Sequence, residues 1–422
     1  MIEKLLKGLS RRVDDVIVEK EKIDSIQIKF ANSKIVTIKN WSELNIQVFV
    51  SKGKKVLLKR ITDISNLKVS KFVKQIIESV EKAPEKPYYY GIAKGPFKFK
   101  KTKYEKRFDS ADLVGMTEQA IDVARGRCAG VLYAEKSERE LISNKNIHAR
   151  DKSTAFNFSI RVFGKNSGHG VSYSSDLKSF KPEKASNEAS YIANLCSNTV
   201  PFKEGKYNVL LHPMIAANLL SSFSYAFSAF EVEAKNSFLE GMVNKKVSSS
   251  IFSLYDNGRR ITAFDEEGRP TKRTLLISKG VLKTYLHNTS TAKYFNSRPT
   301  SNAGLLYPSP WFFEVSSGSY SLEELLEEMR NGIYLTNTWY TRFTNYRTGD
   351  FSTIPRDSAF LVKNGKIAGV VKHIRLVGNA LAMLKNITAL GKKKKVVKWW
   401  EVPFPVEVPH ILVKKVHLTK PF

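Results

Sequence analysis

Cysteine is nearly missing from this chain. Cys128 and Cys196 are the only two, too few for a disulfide framework or a thiolate zinc site. Paired histidines are missing too. His148, His169, His212, His287, His373, His410 and His417 include no pair spaced four or five apart, so no single helix offers two imidazoles to one zinc ion. His410 and His417 are seven apart on a strand-like run, which sends them to opposite faces. Neither a G-x-S-x-G elbow, a Walker loop nor a G-x-G-x-x-G turn is present. Ser175-Asp176-Leu177-Lys178 matches S-x-x-K but lacks the S-D-N element that gives that motif meaning. No run approaches ~18 consecutive apolar residues, so no membrane span is expected. The opening MIEKLLKGLSRRVDD mixes acids and bases without an apolar centre; it does not read as a secretory leader, and a cytoplasmic location is expected.

Positive charge is abundant. Of 422 residues, 69 are Lys or Arg and 40 are Asp or Glu, a formal net charge of +29. Two regions carry most of the excess: residues 1–108, with 26 basic and 12 acidic groups, and residues 360–422, with 13 and 2. The second includes the run Lys392, Lys393, Lys394 and Lys395. Such a balance implies affinity for polyanions or acidic partners, or else a solvated lysine surface. In residues 84–108, rings such as Tyr88, Phe97 and Phe99 interleave with lysines, which suits stacking on bases. A loop with its rings tucked onto the domain surface is the favoured reading, because no RNA-binding signature accompanies it.

Periodicity gives an α+β fold in three parts. Residues 1–108 form an N-terminal α+β lobe. Apolar spacing from Ile2 to Ile17 predicts a helix over 2–19, followed by antiparallel strands and a second helix at 72–80. Residues 109–204 form a second α+β lobe. Ser110 is expected to cap a helix reaching Arg127, strands follow at 129–135, 140–149 and 154–163, and Lys184–Cys196 is helical. Gly168-His169-Gly170 is expected as a flexible turn. Residues 205–422 form a mostly antiparallel β domain around a buried helix. Its turns recur at Asp256-Asn257-Gly258, Ser278-Lys279-Gly280 and Lys363-Asn364-Gly365, with a Ser321-capped helix and another at 381–388.

The buried helix is the natural mount for chemistry. Tyr207–Leu211 reads as a strand, Pro213 suits a first helical position, and Met214–Phe230 is small or apolar almost all round. It carries Ser221, Ser222, Ser224 and Tyr225, but no acid, base or metal ligand before Glu231. His212 reads as a cap or core residue. Asp265, Glu266 and Glu267, before Gly268, could hold a cation; a solvated turn is the favoured reading.

Several short motifs then fall in one order. Phe264-Asp265-Glu266-Glu267-Gly268 is followed by Gly280-Val281-Leu282, Ser321-Leu322-Glu323-Glu324-Leu325-Leu326, Thr348-Gly349-Asp350-Phe351-Ser352, Asn364-Gly365-Lys366-Ile367 and Gly378-Asn379. In this order and spacing the chain resembles the TldD/PmbA family, once labelled modulators of DNA gyrase. The resemblance makes Asp265, Glu266, Glu267, Gly268, Gly349, Asp350, Phe351, Gly378 and Asn379 signature positions. It also implies a division of labour: TldD subunits are zinc proteases with an H-E-x-x-x-H helix and a later cysteine ligand, and TldE (PmbA) subunits lack these groups and pair with TldD. Here the H-E-x-x-x-H positions fall at Ser221, Ser222 and Ala226, and no cysteine follows Cys196; Trp399 and Trp400 lie near where it would be sought. The resemblance therefore implies a non-catalytic TldE-like subunit with no cofactor of its own. Zinc is expected in a TldD-like partner, extended peptides as substrates, and acidic proteins or nucleic acid as further contacts. A basic, nucleic-acid-associated binding protein is the alternative.

Overall fold

Alternating apolar and polar residues early in the chain produce β1 (Asp15–Ala31), β2 (Lys34–Lys52) and β3 (Lys55–Ile61) in the computed structural model, which describes residues 1–61 and 68–421. Three more strands, β4 (Arg127–Ser143), β5 (Ile147–Phe163) and β6 (Ser167–Ser174), complete an antiparallel six-stranded sheet ordered β3-β2-β1-β4-β5-β6. Because β1 pairs β4 from Ile17↔Ser143 to Phe30↔Gly130, residues 1–108 and 109–204 share this one sheet. Each segment keeps its own helices. α1 (Ile2–Leu9) and α2 (Val69–Lys82) cover a core around Leu5, Val16, Val48 and Val80. α3 (Leu113–Asp122) and α4 (Pro182–Asn194) cover Phe156, Phe158, Phe180 and Ala189.

The expected helix over 2–19 stops at Leu9, and Asp15–Ile17 already belong to β1. Val16, Ile17 and Val18 are all fully buried. Val16 and Val18 face the helices, whereas Ile17 packs on the opposite side with Phe49 and Phe264. A strand buried on both faces loses its polar alternation, so its apolar spacing imitates a helix. Likewise the helix expected from Ser110 begins at Leu113. Its cap is Asp112, whose carboxylate accepts the Gly115 N–H at 2.8 Å, and it ends at Asp122.

The second sheet follows Pro201. Its strands are β7 (Gly205–Leu211), β8 (Leu254–Asn257), β9 (Arg273–Ser278), β10 (Val281–Leu282), β11 (Phe313–Val315) and β12 (Gly332–Asn345). It continues through β13 (Asp350–Lys363), β14 (Lys366–Val371), β15 (Arg375–Asn379), β16 (Ile387–Trp399) and β17 (Val402–Thr419). β7 pairs β12 in parallel and β17 antiparallel, and the β12–β13–β15–β17 pairings close a ring. The helices of this domain are α5 (Pro213–Phe223), α6 (Ala229–Glu233), α7 (Thr289–Tyr294), α8 (Leu322–Met329) and α9 (Ala380–Lys385). α5 packs against β12 and β17, inside the largest apolar cluster of the molecule. α8 carries the expected capping box: Ser321 Oγ accepts the Glu324 N–H while the Glu324 carboxylate accepts the Ser321 N–H. The helix expected at 381–388 is the shorter α9, since Ile387 and Thr388 already belong to β16, which also holds the lysine run. Among the described residues no helix is long and apolar enough to cross a membrane.

Candidate functional site

Helix α5 begins at His212, whose Nδ1 accepts the Met214 N–H at 3.2 Å. Burial pulls the His212 imidazole down to about 3, so it is neutral, and its Nε2–H donates to Glu188 Oε1 at 3.1 Å. The sequence expectation of a capping histidine holds. The helix does not run on to Phe230. It ends at Phe223, passes through a tight turn at Ser224–Phe227, and restarts as α6. Side chains fix this break. Ser228 is extended, with its hydroxyl donating to Pro308 O at 2.8 Å, and Tyr225 OH donates to Tyr346 O at 2.6 Å. The Tyr225 ring sits 5.0 Å from Phe343 and 5.0 Å from Tyr346.

Ser221, Ser222 and Ala226 straddle this break. The Ser221 hydroxyl donates to Asn218 O at 2.9 Å and is buried; Ser222 is half-buried; Ala226 is fully buried in the turn. Zinc needs imidazole, thiolate or carboxylate donors. One hydroxyl already bonded to its own helix, a second hydroxyl and a methyl group do not fit it. Among the described residues no group of three or more His, Cys, Asp or Glu side chains comes together as a metal site. Trp399 is buried edge-on against the His169 ring at 4.6 Å, whereas Trp400 is 65% exposed.

One turn before Ser221 and Ser222, a hydrogen-bonded polar chain that reaches the Glu401 carboxylate occupies the helix face. Asn218 is fully buried; its Oδ1 accepts from Thr341 Oγ1 at 2.6 Å, and its Nδ2 donates to Glu401 Oε2 at 3.3 Å. Thr341 Oγ1 lies 2.9 Å from Thr353 Oγ1, which in turn bonds Thr338 Oγ1. These amides and hydroxyls orient one another and lead to the Glu401 carboxylate, which also accepts the Tyr340 N–H at 3.2 Å. The sequence reading missed this chain; its only trace was the threonine spacing of Thr336, Thr338, Thr341 and Thr344 on β12.

The signature residues fall in two places. Gly349, Asp350, Phe351, Gly378 and Asn379 meet where β13 pairs β15, with Asp350 opposite Asn379 and Phe351 opposite Gly378. The Thr348 hydroxyl and the Asn379 amide, at 2.8 Å, both donate to Asp350 and hold its carboxyl below the usual range. Asn379 also caps α9 by accepting the Ala382 N–H at 3.1 Å. The buried Phe351 ring meets Phe223, the last residue of α5, at 5.1 Å. This cluster therefore supports the end of the candidate helix.

Asp265, Glu266, Glu267 and Gly268 form the other place, and here the expected solvated turn is overturned. Asp265 is 1% exposed and Glu267 4%. Asp265 accepts backbone N–H groups from Glu267, Arg269 and Ala303; Glu267 accepts both the N–H and the hydroxyl of Thr289; Glu266 accepts the Leu305 N–H at 2.9 Å. With their lone pairs committed to backbone donors, these carboxylates tie loops together. Burial pushes Asp265 and Glu267 well above the ordinary carboxylate range, and for Glu267 the Asp265 charge adds to this. The turn seats the first sheet on the second domain: Phe264 packs with Ile17, Phe49 and Ile147.

A second junction is polar. His169 Nδ1 accepts from Asn337 Nδ2 at 2.9 Å, and its Nε2 donates to Ser159 Oγ at 2.8 Å. Asn337 Nδ2 also reaches Asp357 Oδ2 at 3.0 Å, and Asp357 Oδ1 lies 2.9 Å from Arg161 Nε. Burial pulls His169 down to about 3. Burial alone would raise Asp357, but the Arg161 charge holds it low. The flexible turn expected at Gly168-His169-Gly170 is part of β6. A Cβ on Gly170 would sit 2.0 Å from Ala185 O, and one on Gly168 would sit 2.1 Å from Ala189 O, so the glycines let α4 lie directly on the strand.

The basic features resolve differently. In the 84–108 segment the Phe97 and Phe99 rings pack into the junction core, Phe99 5.9 Å from Phe264, so they are tucked inward as the favoured reading expects. Within the lysine run, Lys394 pairs with Glu407 at 2.6 Å and Lys395 with Glu188, leaving Lys392 and Lys393 exposed. His410 and His417 both lie on β17; His410 contacts the His212 ring at 5.0 Å and His417 is exposed.

A two-part α+β molecule with a buried helix inside a ring-closed sheet defines a recognisable class. Residues 204–420 match the PmbA/TldA metallopeptidase C-terminal domain and residues 103–196 the corresponding central domain; the chain belongs to the PmbA/TldD family. A metalloprotease of Methanocaldococcus jannaschii is 31% identical over 209 residues, covering 46% of this chain and 45% of that protein. The chain thus spans about half the length of the metalloprotease relatives it matches. Two solved structures share the fold over 99% of both chains. They are TldE from Thermococcus kodakarensis (TM-score 0.85, 19% identity) and a putative modulator of a DNA gyrase from Thermotoga maritima (TM-score 0.84, 22% identity).

Proposed function

We propose that this chain is a non-catalytic subunit of the TldE type, which pairs with a TldD-like zinc metalloprotease and helps present extended peptides to it. The observation that carries the reading is the helix at 213–223 and the turn after it. Where the family resemblance sets two zinc ligands and a general base, this chain has Ser221, Ser222 and Ala226. The hydroxyl of the first is bonded to its own helix and the last is a buried methyl. The helix is otherwise kept: capped by His212, packed in the core and buttressed by Phe351. Retention of the scaffold without its donors fits a subunit that completes a chamber and leaves the hydrolysis, and the zinc, to its partner. The solved TldE structure with the same fold supports this reading, as do the metalloprotease relatives.

The experiment is metal analysis and peptide hydrolysis on the chain alone and mixed with a TldD-like protease. Stable co-purification, with zinc and hydrolysis only in the mixture, is the expected result. One zinc per chain, with hydrolysis by this protein alone, would overturn it. The polyanion-binding alternative retains the +29 charge but loses Phe97 and Phe99 as stacking faces, since both rings pack into the junction core. Its signature would be steeply salt-dependent DNA binding.

A further inference from the structure

An open cavity of about 860 Å³ lies between the α4 side of the first sheet and strand β16 of the second. Four of its lining cations, Lys181, Lys184, Arg259 and Lys393, are exposed and have no carboxylate partner among the described residues. Four others line it while paired: Lys103 to Asp176 at 2.5 Å, Arg260 and Lys394 to Glu407 at 3.0 and 2.6 Å, and Lys395 to Glu188. Only Asp176 and Glu188 supply negative charge to the lining itself, so the walls stay strongly positive. Concave, low-dielectric walls focus such a field and raise the local concentration of an anionic ligand.

The lining chemistry separates the candidate anions. Single-stranded nucleic acid binds where aromatic faces are open for base stacking. Here neither lining ring presents an open face: Phe312 is 1% exposed beneath the Arg260 guanidinium at 3.9 Å, and Tyr173 is half-buried. What the walls do offer is ammonium groups and the hydroxyls of Ser172, Ser174, Ser175 and Ser179. These suit separate carboxylates along a flexible chain. The volume falls within the range of pockets that enclose a compact ligand or a few residues of peptide.

We propose that this groove binds an acidic peptide segment, with successive Asp or Glu side chains reaching Lys184 on the α4 wall and Arg259 and Lys393 on the wall of the second domain. The role of such binding, to select which peptides enter a protease complex, rests on the subunit reading above. The binding itself needs only this chain.

The test is fluorescence anisotropy on the full chain with a labelled peptide alternating Glu and Ser, against its Gln-for-Glu counterpart and an oligothymidylate of equal charge. The Glu peptide is expected to bind, the Gln peptide not, and added salt to weaken the complex. The double variant Lys184→Glu/Lys393→Glu changes two exposed side chains and should weaken binding at least about tenfold. Lys71→Glu, on the exposed face of α2, should leave binding unchanged. Equal binding of both peptides, indifference to the double variant, or tighter capture of the oligothymidylate by the same groove would overturn the proposal. Loss of peptide binding in the double variant, with protease pairing intact, confirms the groove and leaves the subunit reading standing. Peptide binding without pairing sinks the subunit reading alone.

Discussion

Ala226 and Ser221 would resist conversion into ligands for different reasons. Ala226 is fully buried within the turn that follows α5. An imidazole there overpacks the core, typically at a cost of about 1–3 kcal/mol. Ser221 faces the helix backbone, and no thiolate follows Cys196 in the chain. The triple variant Ser221→His/Ser222→Glu/Ala226→His should therefore melt earlier and retain no stoichiometric zinc after dialysis. Recovery of one tightly held zinc per chain, by metal analysis, would show that the scaffold still accepts the motif. The histidines make a separate prediction. His169 and His212 are each pulled by burial from an ordinary 6.5 to about 3. Their folded values lie below their unfolded ones, so the unfolded chain takes up protons first. The stability they contribute is complete above about pH 6.5 and is lost as pH falls towards 3. At about pH 4.5 each should have forfeited about 2–3 kcal/mol. His212→Asn keeps an oxygen to cap α5 and removes one such group. Urea denaturation at neutral and acidic pH should show a smaller loss for this variant; an unchanged loss would mean that His212 does not titrate against folding.

At the scale of elements, the acidic turn gives the sharpest test. Gly268 has φ +77°, and a Cβ there would lie 2.7 Å from Ile147 and 2.8 Å from Leu141. Gly268→Ala combines a left-handed backbone with a clash against the first sheet, and should destabilise by about 2–4 kcal/mol in chemical denaturation. A loss below the scatter of the measurement would mean that the turn can withdraw from the sheet. This turn also marks the limit of what local sequence conveys. Three adjacent carboxylates before a glycine read as solvated, because nothing nearby announces that Thr289, Ala303 and Leu305 supply their donors. Elements fixed by neighbouring residues were legible: the Ser321 cap and the His212–Pro213 helix start. Those fixed by distant partners were not. Val16–Val18 took helical spacing because the strand is covered on both faces, and Gly168-His169-Gly170 looked like a turn because α4, the reason for its glycines, begins twelve residues later. The candidate site followed the same rule. Ser221, Ser222 and Ala226 could be placed from the sequence, but the Asn218–Thr341–Thr353 chain beside them required three segments to meet.

For the whole molecule, the question is what holds the shared six-stranded sheet against the ring-closed domain. Apolar packing around Phe264 is one contribution. Buried charge is another: Arg139 reaches both Glu19 at 2.6 Å and Thr262 at 2.7 Å, and Arg161 on β5 meets Asp357 on β13 at 2.9 Å. Asp357 is 1% exposed at its side chain, and its φ of +61° is one that Asp and Asn tolerate better than most residues. Arg161→Ala would strand that carboxylate in the interior and should cost about 3–5 kcal/mol. Asp357→Asn keeps the backbone geometry while removing the charge. If the junction depends on compensating one buried charge by another, the second change should be less harmful in the Arg161→Ala background than alone. The expected coupling between the two positions is about 1–3 kcal/mol in a double-mutant cycle measured by equilibrium denaturation. Strict additivity would mean that the junction does not depend on compensating one of these charges by the other. In that case the apolar seat under Gly268 and the Arg139 contact to Thr262 carry the junction, and Gly268→Ala would then be the substitution that most weakens it.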